Sequence, residues 1–384
     1  MNISKPNSPI GRIRSVDVLR GAIIVLMAID HVRVYSGLPA GGPEPGIFFT
    51  RWITHFCAPG FAFFSGTAAF LYGIKLNNKN ALSRFLLSRG LLLIFLELTL
   101  IRFFWTFNLD FANFILAGVI WMLGWCMVIM AVLVRMKAKI VGIIGVLMIL
   151  GQQVFAQVPQ IIPAGFREQF GHFWEFIYSS GFEGPPGITI LYVIVPWIGV
   201  MAAGYGFGLI LIKDDKTRNG ICRWIGTVCI VLFVVIGSII ALRNENNSAP
   251  FLFRLLNQQK YPPSQLFLFM TLGPLIALIP FAEKARSWLS NTLAIFGKVP
   301  MFYYLLHIPL IHLSALLVNT ILRGSPHQEF YSTAPYTHIE PGERWSLGLL
   351  YLVFLAVVVI LFFLCKGYGK YKTLHPEKKW LRYI

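Results

Sequence analysis

Residues 345–365 read WSLGLLYLVFLAVVVILFFLC, an uncharged run of twenty-one residues. An α-helix needs about 20 apolar residues to cross roughly 30 Å of hydrocarbon, so this run predicts a membrane span. Residues 111–134, 188–212 and 299–322 are uncharged and comparably long. Lipid offers their backbone groups no partner, which leaves the helix as the conformation that satisfies them. Composition agrees: 56% of the 384 residues are hydrophobic and 13% are charged, against about 25% charged in a typical soluble domain. The sequence therefore predicts an all-α, polytopic transmembrane bundle, one domain over residues 1–384.

Working outward, the expected spans are 15–36, 52–74, 84–105, 111–134, 139–157, 188–212, 221–242, 265–282, 291–322 and 345–365. The ninth is long enough to be tilted, kinked at Pro300 or Pro309, or split, which would make eleven spans. The net charge of +17 lies in short loops and not in one basic stripe, so nucleic acid is not the expected partner. Lys and Arg accumulate in alternate loops, around Arg14, Lys79, Lys137, Lys216 and Lys370. This pattern predicts both termini on the cytoplasmic side. The loop at 243–264, with Arg243, Arg254 and Lys260, fits least well. An N-terminal signal peptide is not expected, because Asp17, Arg20 and Asp30 interrupt the apolar run. The five cysteines form no CxxC and no metal-ligand spacing with histidine, so no disulfide framework or metal site is expected. The outer loops 158–187 and 323–344 carry aromatics and histidines, read as an interfacial belt or as part of an acceptor site.

Ionisable groups within spans are costly and mark candidate sites. The first span, SVDVLRGAIIVLMAIDHVR, places Asp17 and Arg20 near one end and Asp30, His31 and Arg33 near the other. At 100° per residue, Asp17, Gly21, Ile24, Ala28 and His31 share a stripe expected to face a cavity. The second span opens RWITHFCAPG, with Arg51, Trp52 and His55 at the depth expected for His31. Glu97 and Arg102 sit five apart in the third, where each is expected to reach another helix. His307 and His312 lie inside the ninth, behind two tyrosines. Histidine moves protons near neutral pH, whereas a five-residue spacing on one helix does not suit a metal.

SVDVLRGAIIVLMAIDHVR, TRWITHFCAP and KVPMFYYLLHIPLIH together resemble the bacterial membrane family grouped with the catalytic domain of heparan-alpha-glucosaminide N-acetyltransferase. The similarity extends through LLLIFLELTLIRFFWTF, YVIVPWIGVMAAGYGFG and the tail KKWLRY. The Arg20-to-His31 spacing also resembles, more distantly, the first helix of membrane acyltransferase family three, whose histidine is the presumed acyl-transfer residue. That likeness implies His31 as base and Arg20 on the acyl-CoA path. The lysosomal enzyme has an asparagine at the position of His31 and its proposed active histidine later, so His31 and His55 compete for one role. The resemblance implies residence in a bacterial cytoplasmic membrane.

It also implies acetyl transfer from cytoplasmic acetyl-CoA to an amine or hydroxyl of a sugar-containing acceptor at the outer face, without a metal. His31, His55 and Asp30 are the expected catalytic residues. Arg20, Arg84, Arg89 and Arg14 are expected to hold the coenzyme A phosphates. Arg33, Arg51, Trp52, His307 and Glu97 are expected to meet the acceptor. The alternative is a proton-coupled transporter or lipid-linked-sugar carrier that uses the buried charges as a relay; no inverted repeat in the sequence supports it. The oligomeric state is left open, a homo-oligomer included.

Overall fold

The computed structural model describes residues 12–179, 185–243 and 248–383. The chain is a bundle of helices. α1 (Arg14–Tyr35) is followed by a short α2 (Pro45–Trp52), a tight turn over Ile53–Phe56, and α3 (Cys57–Leu76). α4 (Lys79–Leu96) passes through a widened π segment at Glu97–Ile101 into α5 (Arg102–Thr106). Then come α6 (Val119–Leu133), α7 (Ala138–Leu150), the short α8 (Val154–Gln157), α9 (Ala164–Trp174), α10 (Trp197–Leu211) and α11 (Asp215–Arg243). α12 (Phe251–Leu256), α13 (Gln265–Lys284), α14 (Trp288–Lys298), α15 (Pro300–Arg323) and α16 (Leu347–Leu374) complete the bundle.

Among the described residues, five helical segments are long and apolar enough to cross a membrane: Pro45–Leu76, Asp215–Arg243, Gln265–Lys284, Pro300–Arg323 and Leu347–Leu374. A sixth is present if α7 and the segment Val154–Ile161, bent by 62° at their junction, make one span. The difference from ten expected spans has identifiable causes. α1 and α4 carry charges, while α6 and α10 are shorter apolar helices.

The shortening of those two helices comes from strand structure. β1 (Ile115–Ala117) and β2 (Ile188–Ile190) pair in parallel, with Ile115 opposite Ile188. Helices expected to begin at 111 and 188 therefore begin at 119 and 197. β-branched residues favour the extended form there, Gly118 is extended at φ −90°, ψ −159°, and Pro196 ends the second strand segment before α10. Leu191 N–H donates to Ala117 O at 3.1 Å. The two irregular stretches thus satisfy each other's backbone groups inside protein, the condition under which lipid tolerates them.

The ninth expected span is split at Val299, which leaves the helical region (φ −132°, ψ 51°), and Pro300 starts α15. α1 lies at the centre, buried by α14, α13, α15 and α3. Its crossing with α14 has no side-chain layer. A Cβ on Gly21 would sit 1.8 Å from Leu293 O, and one on Gly297 1.8 Å from Asp17 O. Gly66 and Gly204 play the same part between α3 and α10. Small residues that let helix backbones touch are how membrane helices gain contact without a hydrophobic drive.

Candidate functional site

Two ends of α1 carry the polar groups, and the helix geometry relates them. Arg20 and His31 are eleven residues apart, close to three turns, so they share a face separated by roughly 16 Å along the axis. A cavity of ≈ 60 Å³ runs along that face, lined at one end by Arg20 and Arg89 and further along by Ile24, Ile120, Met301 and Tyr304. The expected stripe through Asp17 and Gly21 is corrected by this arrangement. Gly21 is pressed on the α14 backbone, and Asp17 is buried and bound by Arg12, whose Nη2 lies 3.0 Å from Asp17 Oδ1. The cavity is lined from α1 by Arg20 and Ile24, and His31 continues the same helix face beyond it.

His31 Nδ1 lies 2.7 Å from His307 Nε2, and His307 Nδ1 lies 2.6 Å from Tyr304 O. A carbonyl only accepts, so His307 Nδ1 carries a proton. Neutral His307 then accepts at Nε2, which requires His31 to donate from Nδ1. The relay leaves His31 Nε2 as a lone pair. His31 is half-buried, while His307 is fully buried. Trp105 meets the His31 ring edge-on at 4.8 Å.

Asp30, beside His31, does not orient it. Its two oxygens are taken by Arg33 Nε at 3.0 Å and Arg51 Nη1 at 3.4 Å. Arg33 also donates to Leu38 O at 2.7 Å, and Arg51 to Thr54 Oγ1 at 3.1 Å. His55 is buried, donates from Nδ1 to Arg51 O at 2.9 Å, and packs on Phe267. Lys260 is buried within electrostatic range of Asp30, His31 and His55. It lies over the rings of Tyr192 and Tyr261 at 5.9 and 5.1 Å. Tyr261 lines a cavity of ≈ 160 Å³ with Glu175, Ser179, Trp197 and others.

Several expected site residues have other work. Glu97 is buried with its carboxyl group against Gly118, at the N-terminus of α6, where the helix dipole favours an acidic group. Even a Cβ on Gly118 would lie 2.1 Å from Glu97 Oε1. Trp52 Nε1 donates to Met270 Sδ at 3.4 Å. Arg14 is tied to Ala285 O, Ser290 Oγ and Asn291 Oδ1 at 2.9, 3.3 and 2.5 Å, which joins α1 to the α13–α14 turn. Arg84 is exposed on α4 and lines none of the cavities described. Arg102 donates to the Phe114 carbonyl at 2.9 Å and so ties α5 to the loop before α6.

Lys260, Tyr304 and the tyrosines around Lys260 are not among the residues the sequence singles out for the site. One signal did exist for Lys260: its loop is too basic for an outer loop. No group of three or more His, Cys, Asp or Glu among the described residues is arranged to hold a metal ion.

A helical bundle with several helices apolar enough for a bilayer, holding the His31–His307 pair near a polar cluster of Asp30, Arg33, Arg51 and Lys260, is the architecture of an integral membrane protein with a polar interior. The family model described as Heparan-alpha-glucosaminide N-acetyltransferase, catalytic, matches residues 12–255, and the chain belongs to that family. Membership implies a transferase activity exercised at a membrane. No match is found among curated proteins.

Proposed function

We propose that this protein moves the acetyl group of acetyl-CoA from the cytoplasmic, basic end of the bundle to an amine or hydroxyl of a sugar-containing acceptor at the outer end, with His31 as general base. The observation that carries the reading is the Tyr304–His307–His31 relay, because it fixes which nitrogen of His31 is free. The Nε2 lone pair takes the proton of the acceptor N–H or O–H as that atom attacks the thioester carbonyl carbon. The tetrahedral intermediate collapses with cleavage of the C–S bond, and the departing thiolate takes the same proton back from His31. While His31 is charged, its Nδ1–H bond to His307 Nε2 is charge-assisted and strengthens. Three cations, Arg33, Arg51 and Lys260, stand around the single carboxylate of Asp30, and their excess positive field favours the oxyanion.

Dimensions support the donor. The pantetheine arm has about fourteen bonds between phosphorus and sulfur, equivalent to roughly five extended residues or about 16 Å. That matches the axial separation of Arg20 from His31. The cavity beside Tyr261, with the Glu175 carboxylate and the Trp197 ring, suits the mixed polar and flat apolar surface of a sugar. The basic loops favour a bacterial cytoplasmic membrane with both termini inside.

The test is acetyl transfer by purified protein from acetyl-CoA to glucosamine-bearing acceptors, followed by CoA release. His31→Ala is expected to lower turnover by roughly 100- to 10,000-fold with acetyl-CoA binding retained, and His55→Ala to stay within about tenfold of wild type. Normal turnover in His31→Ala together with loss in His55→Ala would transfer the role to His55. Activity in both variants would remove the mechanism and favour a carrier.

A further inference from the structure

The largest cavity described is not at the histidines. It measures ≈ 440 Å³ and lies where the last turns of α16 meet the α14–α15 break. Arg12, Lys298, Lys366, Lys370, Lys372 and Thr373 supply its polar lining, and no acidic residue is among its lining residues. Lys366, Lys370 and Thr373 fall at i, i+4 and i+7, one face of α16. Gly369 on the neighbouring stripe brings the helix backbone to the cavity wall. Arg12, Lys298, Lys366 and Lys370 are exposed, so the mouth is open to solvent. Arg12 shares its charge with Asp17. Lys298, Lys366 and Lys370 give the cavity a positive excess.

Lys372 lies within electrostatic range of Arg12, Arg20 and Arg89. Val299 lines this cavity, while the next two residues, Pro300 and Met301, line the narrow one that leads toward His307. Consecutive residues at the break between α14 and α15 thus line both spaces. Like charges held this close repel one another, and an enclosed set of them around open space is stabilised by a polyanion.

We infer that this cavity seats a phosphate-rich group, the nucleotide end of the acyl donor, with its reactive arm entering past Arg20 and Arg89 toward His31. The inference rests on the donor reading above and adds a site to it. It assigns phosphate binding to α16 and Lys298 in place of Arg14 and Arg84.

The test measures binding to full-length protein in detergent with three probes: coenzyme A, adenosine 3′,5′-bisphosphate and acetyl-pantetheine, which lacks the nucleotide. The variant Lys366→Gln/Lys370→Gln is expected to weaken the first two by roughly tenfold per lysine, about a hundredfold together, when each charge-assisted contact is lost. Acetyl-pantetheine binding is expected to change less than about threefold, since that probe carries no phosphate. Lys216→Gln, an exposed cation remote from the cavity, reports the effect of net charge alone and is expected to bind all three as wild type does. Raising the salt concentration is expected to weaken coenzyme A binding in the wild type more steeply than in the double variant.

If the wild type binds coenzyme A and the double variant binds it equally well, the site is wrong while the donor reading stands. If the wild type binds neither coenzyme A nor acetyl-pantetheine, the donor reading falls and takes the site with it. A third arm uses nanodiscs with and without phosphatidylglycerol. A double variant that loses only its preference for the anionic discs, with coenzyme A affinity intact, would make the occupant a lipid headgroup and overturn the proposal.

Discussion

At the scale of single residues, the site is a division of labour among neighbours that the sequence presents as equivalent. Asp30 and His31 are adjacent, yet Asp30 serves the arginines and His31 is oriented from another helix by His307. His307 is thus a positioning residue. His307→Phe is expected to reduce turnover by roughly 100-fold or more, because His31 loses the acceptor that selects its tautomer, with the KM for acetyl-CoA little changed. His307→Gln, whose amide oxygen accepts from His31 Nδ1, is expected to recover part of that loss. A purely structural role for His307 would show no such split between kcat and KM and no rescue.

Asp30→Ala is a different kind of change. It leaves the buried Arg33 and the half-buried Arg51 without their shared carboxylate, and is expected to cost about 2–4 kcal/mol in stability, read as a lowered midpoint of thermal unfolding.

Much of this was legible, but unevenly. The Arg20-to-His31 spacing is a local property of one helix and can be read from residue numbers. The partner of His31 cannot, because nothing in the sequence registers α15 against α1 across a separation of 276 residues. The Asp17 stripe was misread for a related reason. Helical periodicity assigns residues to faces but does not say which face meets glycine on a neighbour, and Gly21 and Gly297 turned that side of α1 to α14. Lys260 left a trace as the cation that spoils the topology of its loop. It is buried against Tyr192 and Tyr261, where it acts on the site and reports no orientation.

At the scale of elements, the functional geometry depends on how close α1 sits to α14 and where α14 gives way to α15. Gly21→Ala places a methyl group against the Leu293 carbonyl, and it is expected to destabilise the protein by about 1–3 kcal/mol or more through overpacking. Gly220 is the matched control, with open space where its Cβ would stand. Gly220→Ala is expected to be neutral or stabilising by about 0.5–1 kcal/mol, the ordinary gain for removing a helical glycine. Equal melting temperatures for the two variants would argue against the close crossing.

Hydropathy located the apolar segments but over-counted helix in two of them. A continuous apolar run does not distinguish a buried strand from a buried helix. Here Ile115–Ala117 and Ile188–Ile190 found each other as strands. The split at Val299 was foreseeable from Pro300, which lacks the N–H that a continuing helix needs and suits the first helical position.

At the scale of the whole molecule, the basic residues define an end of the bundle as well as an orientation. The N-terminal part of α1, the middle of α4 and the C-terminal turns of α16 bring Arg12, Arg20 and Arg89 within range of Lys372. On a cysteine-free background, single cysteines replacing Lys137 and Thr373 are expected to react with impermeant reagent from the same side, and one replacing Phe166 from the other. Labelling of Lys137→Cys from the outside would invert the assignment of donor and acceptor ends. The family match ends at residue 255, yet Tyr304, His307, Lys298 and Lys370 all follow it. His31, Asp30, Arg33 and Arg51 therefore lie in the matched segment, whereas Lys260 and His307, which complete their surroundings, lie in the remainder.

The hydrogen bond between His31 and His307 spans 276 residues of chain, and this sets a schedule for biogenesis. Asp30, Arg33 and Arg51 leave the ribosome within the first 51 residues and can pair as soon as α1 and α2 are inserted. At about 5–20 residues per second, His307 follows His31 by roughly 14–55 s. During that interval His31 has no partner on α15, and its ring is free to take either tautomer. Completion of the histidine pair then becomes a report that α15 has reached its place beside α1.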